Sequence, residues 1–139
     1  MMASQEEFDA MDAMEERVDA AIRVSENNDK DGFVNKLKRG PIENHVIYSA
    51  CEYDEDDMPI DNLDEIPHKG TFTVVGQYDG FWERGGKGCE YNSDPITDPT
   101  WLQLTVLANE AIHVTKDMHH VFFENVNKEG DILYLSFGS

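Results

Sequence analysis

The first clear pattern along the chain is helical. Between residues 5 and 26, apolar side chains recur at steps of three and four residues, with acidic residues on the remaining positions. Ser4 followed by Glu7 three residues later resembles a capping box. The stripe consists of Phe8, Met11, Met14 or Glu15, Val18, Ala21 and Ile22. We predict an amphipathic helix over residues 5–26, which uses this stripe for its own core or for a partner.

Later segments carry the composition of strands. Residues 45–52 (HVIYSACE) and residues 71–78 (TFTVVGQY) are rich in β-branched and aromatic side chains, which favours extended structure. Between the first helix and the first strand, Phe33, Val34 and Leu37 before Gly40-Pro41 indicate a short second helix.

Residues 100–115 fit two patterns. Steps of three and four from Trp101 to Val114 fit a helix, while the alternation of residues 102–108 fits a strand. Asp98 as the N-cap with Pro99 as the first helical residue is a start signal for a helix. We predict a helix here and keep the strand as the alternative.

The end of the chain predicts a β-hairpin over residues 119–137. Two apolar runs flank residues 127–130, a connection of hairpin length that places Val126 opposite Asp131. In that register both faces are partly apolar, so the sheet should be covered on both sides or curled into a barrel.

Together these elements predict a single α+β domain over residues 1–139. Its N-terminal amphipathic helix would pack on a mostly antiparallel sheet of four or five strands, with one further helix after Asp98. A chain of 139 residues is long enough to bury one core without a disulfide or metal. Cys51 and Cys89, the only cysteines, are expected to be reduced thiols.

The negative charge is distributed unevenly along the chain, and this bears on the function of the protein. The formal net charge is −18. Residues 1–29 hold nine acidic and two basic side chains, a balance of −7, and residues 52–65 hold eight acidic side chains and no basic one, a balance of −8. We expect residues 52–68 to form a long acidic loop exposed to solvent.

The electrostatic field of these two acidic segments disfavours some classes of partner and favours others. Direct binding to nucleic acid or to an anionic membrane is disfavoured, because both need lysine and arginine at the surface. A basic protein surface is attracted. The leading hypothesis is therefore a non-catalytic protein that binds a basic partner, one form of which is imitation of nucleic-acid charge. The predicted contact residues are acidic: Asp54, Glu55, Asp56, Asp57, Asp61, Asp64 and Glu65.

Metal motifs are incomplete. Residues 27–38 resemble an EF-hand loop, but Lys38 stands where calcium needs a bidentate glutamate. His113, His119, His120 and Glu124 lie close in sequence and suit zinc or iron, but their spacing matches no catalytic motif. We expect no metal and no cofactor. Residues 85–88 (GGKG) are read as a turn, since they lack the spacing of a nucleotide-binding loop.

Two alternatives stay open. The first is an enzyme or a protein that binds a small ligand or metal in a cavity between sheet and helix. That cavity would be lined by Phe72, Val74, Trp101, Phe122 and Tyr134, with His120 or Glu124 as a polar group. The second is a structural subunit that associates through its hairpin, for example with a second copy of itself.

No apolar run has the length of a membrane span, and Ser4 to Glu7 is acidic where a secretory leader is basic. A cytoplasmic location is the expectation.

Overall fold

The computed structural model describes residues 5–28, 46–78, 89–115 and 121–138. The helices are α1 (Gln5–Asn28) and α2 (Trp101–Thr115). The strands are β1 (Ile47–Tyr48), β2 (Glu52–Tyr53), β3 (Pro59–Ile60), β4 (Thr71–Tyr78), β5 (Cys89–Asn92), β6 (Ile96–Thr97), β7 (Phe122–Glu129) and β8 (Ile132–Gly138). The described chain is therefore α+β. The short helix predicted near Phe33 and the turn at residues 85–88 lie outside the described residues.

The apolar stripe of α1 is narrower than the sequence pattern. Met14, Val18 and Ile22, each four residues after the last, are buried. Met11 is exposed, and the side chain of Phe8 is not among those described. α1 extends two residues past the predicted end and packs against α2, β1 and β3.

Among the described residues the main sheet has six strands and is mixed, so the expectation of four or five mostly antiparallel strands is met only in part. Its order is β1-β7-β8-β4-β5, and β6 also pairs with β4. The pairs β1·β7 and β4·β8 are parallel, whereas β7·β8, β4·β5 and β4·β6 are antiparallel. The parallel pairs arise because the C-terminal hairpin inserts between β1 and β4, two strands that come much earlier in the chain.

The hairpin forms, but with a different register and turn. β7 continues to Glu129, and the connection is the two residues Gly130 and Asp131, with Gly130 at a φ of 59°. Val126 lies opposite Leu135, so the predicted pairing with Asp131 is wrong.

A β-bulge in β7 changes which of its residues face the core. The register shifts by one residue between Phe123 and Asn125. Phe123 and Val126 therefore face the same side although they are three residues apart, and both are buried. Glu124 and Asn125 between them are exposed.

α2 settles the ambiguous segment as a helix, and its cap differs from the prediction. Thr100 Oγ1 accepts a hydrogen bond from the Gln103 N–H at 3.1 Å, and Gln103 Oε1 accepts one from the Thr100 N–H at 2.9 Å. This reciprocal pair is a capping box with Thr100 as the N-cap. Asp98 is not the N-cap; its carboxylate accepts a hydrogen bond from the Gly70 N–H at 2.7 Å, which joins the loop after β6 to the start of β4.

The core lies between the sheet and the two helices. Phe72 and Val74 of β4 and Leu133 of β8 are buried beneath them. Trp101 packs against Phe123, with 6.0 Å between ring centroids. At Gly76, an added Cβ would stand only 2.8 Å from Cβ of Ala111, so α2 approaches the sheet closely there.

Candidate functional site: an acidic face and two cavities

The acidic segment, defined as residues 52–65, contains a hairpin in addition to loop. β2 and β3 pair antiparallel, with Glu52 opposite Ile60 and Tyr53 opposite Pro59. Asp54 shapes the turn between them, because its Oδ1 accepts hydrogen bonds from the N–H groups of Asp56 and Met58, each at 2.9 Å. The stretch predicted as a long solvated loop thus contains an ordered turn.

The second half of the acidic segment is anchored in the core. Asn62 and Leu63 are buried, although they lie between exposed aspartates at 61 and 64. The Tyr48 hydroxyl donates a hydrogen bond to Asn62 Oδ1, and Asn62 Nδ2 donates one to the Ala50 carbonyl oxygen at 3.0 Å. One buried amide therefore ties the acidic segment to β1.

The acidic segment also completes the start of α2. The Trp101 N–H donates to the Glu65 carbonyl oxygen at 3.0 Å, and the Leu102 N–H donates to the Leu63 carbonyl oxygen at 2.9 Å. The first N–H groups of a helix have no partner within the helix, so these two carbonyls fill that need. The backbone of residues 62–65 is therefore held by the N-terminus of α2, while the neighbouring carboxylates stay outside.

Arg17 joins the acidic segment to α1. Its Nη1 lies 3.0 Å from Asp61 Oδ2, and its Nη2 lies 2.6 Å from Asp64 Oδ1. The hydrogen bond to Asp64 is the largest cause that raises the pKa of Arg17, and Asp61 adds to it. Because all three side chains are well exposed, the contact positions the two elements more than it stabilises them.

The predicted contact residues all lie at the surface. Asp54, Glu55, Asp56, Asp57, Asp61, Asp64 and Glu65 are exposed. Three of them have internal roles: Asp54 in its turn, and Asp61 and Asp64 with Arg17. α1, which packs against β3 of the acidic segment, also exposes Asp12, Glu15 and Glu16. We call the exposed carboxylates of the acidic segment the acidic face.

Apolar side chains are exposed within the same segment. Tyr53 is 54% exposed, Ile60 41% and Ile66, one residue beyond the segment, 37%. Each of the three is next in sequence to an exposed acidic residue. None of these three was among the predicted contact residues.

The residues predicted to line one cavity are divided between the two faces of the sheet. Trp101, Phe72 and Val74 lie on the side that the helices cover. Phe122 and Tyr134 alternate with the buried Phe123, Leu133 and Leu135, so they point to the opposite face. Glu124 is exposed at the bulge, beside Gly138. His120 lies outside the described residues.

The candidate metal ligands are not brought together in the described part of the chain. His113 is buried in α2, while Glu124 is exposed on β7. His45, Asp117 and His119 lie outside the described residues, as does most of the stretch that resembles an EF-hand loop. Within the described residues, no three His, Cys, Asp or Glu side chains are grouped as a metal ion would need. Cys51 is a free, half-buried thiol.

The described residues line two cavities. One, of about 300 Å³, lies between α1 and β1 and is lined by Val18, Asp19 and Val46 among others. The other, of about 360 Å³, lies between α2 and the connection from β5 to β6, where Tyr91, Asp94 and Glu110 meet apolar side chains. Neither includes the described residues of the predicted cavity.

Comparison with known proteins identifies no relative: no family model, no curated protein and no solved structure matches this chain significantly. Neither α1 nor α2, the helices in the described part of the chain, is long and apolar enough to cross a membrane.

Proposed function

We propose that this protein is a non-catalytic binding protein whose acidic face engages a basic surface on another protein. One observation carries the proposal: Arg17 bridges Asp61 and Asp64, which places the two acid-rich parts of the sequence side by side. Their negative potentials add where they adjoin, since the Debye length in physiological salt is about 8 Å. A potential concentrated in this way attracts cationic partners and speeds their encounter.

The rigidity of the acidic segment supports the same function. The Asn62 hydrogen bonds and the two backbone bonds to α2 hold its backbone before any partner arrives. A prearranged surface loses less conformational entropy on binding than a loop that must become ordered.

The exposed Tyr53 and Ile60 narrow the class of partner. Lysine and arginine on the partner would meet the carboxylates, and an apolar group would pack on these side chains. The proposed partner is therefore a protein surface that combines basic and apolar residues. Long-range charge would govern the association rate, and the apolar contacts would slow dissociation.

The test neutralises three exposed carboxylates in the turn between β2 and β3. The variant Glu55→Gln, Asp56→Asn, Asp57→Asn removes three negative charges and keeps the side-chain sizes. Asp57 has a φ of 61°, a conformation that asparagine also tolerates. The matched control, Glu124→Gln, Glu129→Gln, Asp131→Asn, removes three charges from the exposed part of the C-terminal hairpin.

Both variants and the unchanged protein would be immobilised and exposed to native lysate in about 0.05 M salt, and bound proteins eluted at about 0.3 M salt. The proposal expects a basic protein that the unchanged protein and the control capture and release with salt, and that the acidic-segment variant captures poorly. Equal capture by the two variants, or capture that salt does not weaken, would overturn it.

A further inference from the structure

The cavity of about 360 Å³ at the β5 edge of the sheet has a lining with a consistent chemistry. Its wall from α2 consists of Leu107 and Glu110, which lie three residues apart and so share one helix face. Its other wall is the chain from Tyr91 to Ile96. The volume is in the lower part of the range usual for small-molecule sites.

The strand-side wall is fixed to β4. The Ser93 N–H donates to the Val74 carbonyl oxygen, and Ser93 Oγ accepts a hydrogen bond from the Val74 N–H, both at 2.9 Å. Ser93 Oγ also donates to the Asp94 carbonyl oxygen at 2.8 Å. The backbone that carries Asp94 is therefore held in place, although the Asp94 side chain is exposed.

Tyr91 holds the carboxylate of Glu110 at the inner end. Tyr91 is buried, and its hydroxyl is hydrogen-bonded to the half-buried Glu110. Burial is the largest cause that raises the pKa of Tyr91, and the negative charge of Glu110 follows. The phenol therefore stays protonated at neutral pH and donates this hydrogen bond, and the Glu110 carboxylate accepts it.

The charged side chains among the described residues of the lining are all negative. Asp94 and Glu110 are acidic, and no lysine, arginine or histidine is among the described residues that line the cavity. Pro95, Ile96 and Leu107 supply an apolar wall beside the carboxylates. A ligand that satisfies both features needs a cationic head and a short aliphatic stem.

We propose that this cavity binds an alkylammonium group, as carried by a lysine side chain or by a small free amine. The ammonium would donate to Glu110 and be attracted by Asp94, and the stem would pack along Ile96 and Leu107. This site is separate from the proposed function, because the acidic segment is bonded to β1 at the opposite edge of the sheet.

The test follows backbone amide shifts by nuclear magnetic resonance during titration of the whole protein. The probes are n-butylamine and Nα-acetyl-lysine N-methylamide, with n-butanol as the neutral match, each to about 10 mM. We expect the amines to move the amides of Asp94, Ile96 and Glu110 in a saturable way, and n-butanol to leave them in place. Butylamine alone would indicate a free amine, and both amines a lysine side chain.

Two variants test whether Glu110 is the group that binds the amine. Glu110→Gln keeps an acceptor for Tyr91 but removes the charge, and we expect it to weaken amine binding by at least about tenfold. Glu129→Gln is the matched control on the β7 to β8 hairpin and should bind as the unchanged protein does.

The proposal is overturned if butylamine and butanol cause the same shifts, if no shift saturates, or if the two variants weaken binding equally. Calcium chloride that moves the same amides at lower concentration would instead make the cavity an ion site, which also overturns it. Loss of basic-protein capture by the acidic-segment variant leaves this result unaffected, so the two proposals fail separately.

Discussion

The Tyr48 and Asn62 pair offers a direct measure of what holds the acidic segment to the fold. Tyr48 is 9% exposed and Asn62 is 1% exposed, and the phenol donates a hydrogen bond to the amide oxygen. Burial is the main cause that raises the pKa of Tyr48, so its hydroxyl is protonated and able to donate at neutral pH.

Tyr48→Phe removes this donor and little else. The ring remains to pack on Trp101 and Phe123, whose centroids lie 6.5 and 6.4 Å away. Asn62 Oδ1 is then left buried without the phenol as its donor. A buried polar group that loses its partner costs about 1 to 3 kcal/mol, and we expect the free energy of unfolding to fall by that amount.

Urea denaturation at pH 7, followed by circular dichroism, measures the change. We expect a lower midpoint with an unchanged slope, because the surface exposed on unfolding is the same. Tyr134→Phe is the control: Tyr134 is half-buried, makes no side-chain hydrogen bond within the described part of the chain, and should change stability by less than about 0.5 kcal/mol.

Two results would refute the reasoning. One is a Tyr48→Phe variant no less stable than Tyr134→Phe. The other comes from a double-mutant cycle with Asn62→Ala: additive losses would mean that the two side chains do not interact energetically in solution.

Two further predictions concern packing and pH. Gly76→Ala should lower the free energy of unfolding by about 1 to 3 kcal/mol, because its Cβ would meet Cβ of Ala111 at 2.8 Å. Thermal melting measures this, and Gly138→Ala should cost less, since it meets the movable carboxylate end of Glu124. A smaller loss at Gly76 than at Gly138 would contradict the packing argument. The pKa of Tyr91 is raised in the folded state by burial and then by Glu110. Above about pH 10 the unfolded state therefore loses this proton while the folded state keeps it, and stability falls as pH rises, by about 1.4 kcal/mol per pH unit for one tyrosine. Urea titrations at pH 9 and pH 11 should show a smaller alkaline loss for Tyr91→Phe, and an unchanged loss would be evidence against the raised pKa.

Local pattern was enough for some elements. Met14, Val18 and Ile22 stand at helical spacing, and α1 buries them. The run of β-branched residues at 71–78 is the whole of β4, Thr71–Tyr78. In α1 the side chains that must leave water recur with the period of the helix, and in β4 the residue types themselves favour a strand. Both signals can therefore be seen without knowledge of neighbours.

Other features differ from the prediction although the local sequence carries a signal for them. Thr100 and Gln103 have the spacing of a capping box, and that signal identifies the start of α2 better than Asp98 does. In β7, the three-residue step from Phe123 to Val126 is the sign of a bulge, since regular alternation would put these residues on opposite faces.

For the acidic face, the sequence determined some properties and the tertiary structure others. The sequence alone determined the amount of charge and its concentration in two segments, because composition and order along the chain are sufficient for that. Only the tertiary structure decided that the segments adjoin, through the contacts of Arg17 with Asp61 and Asp64, 44 and 47 residues further along the chain. Such pairing depends on how α1 and the acidic segment pack on the same core. The parallel pairing of β4 with β8 is a second example. Contacts between segments that are distant in sequence depend on the packing of the whole chain, and local periodicity does not predict them.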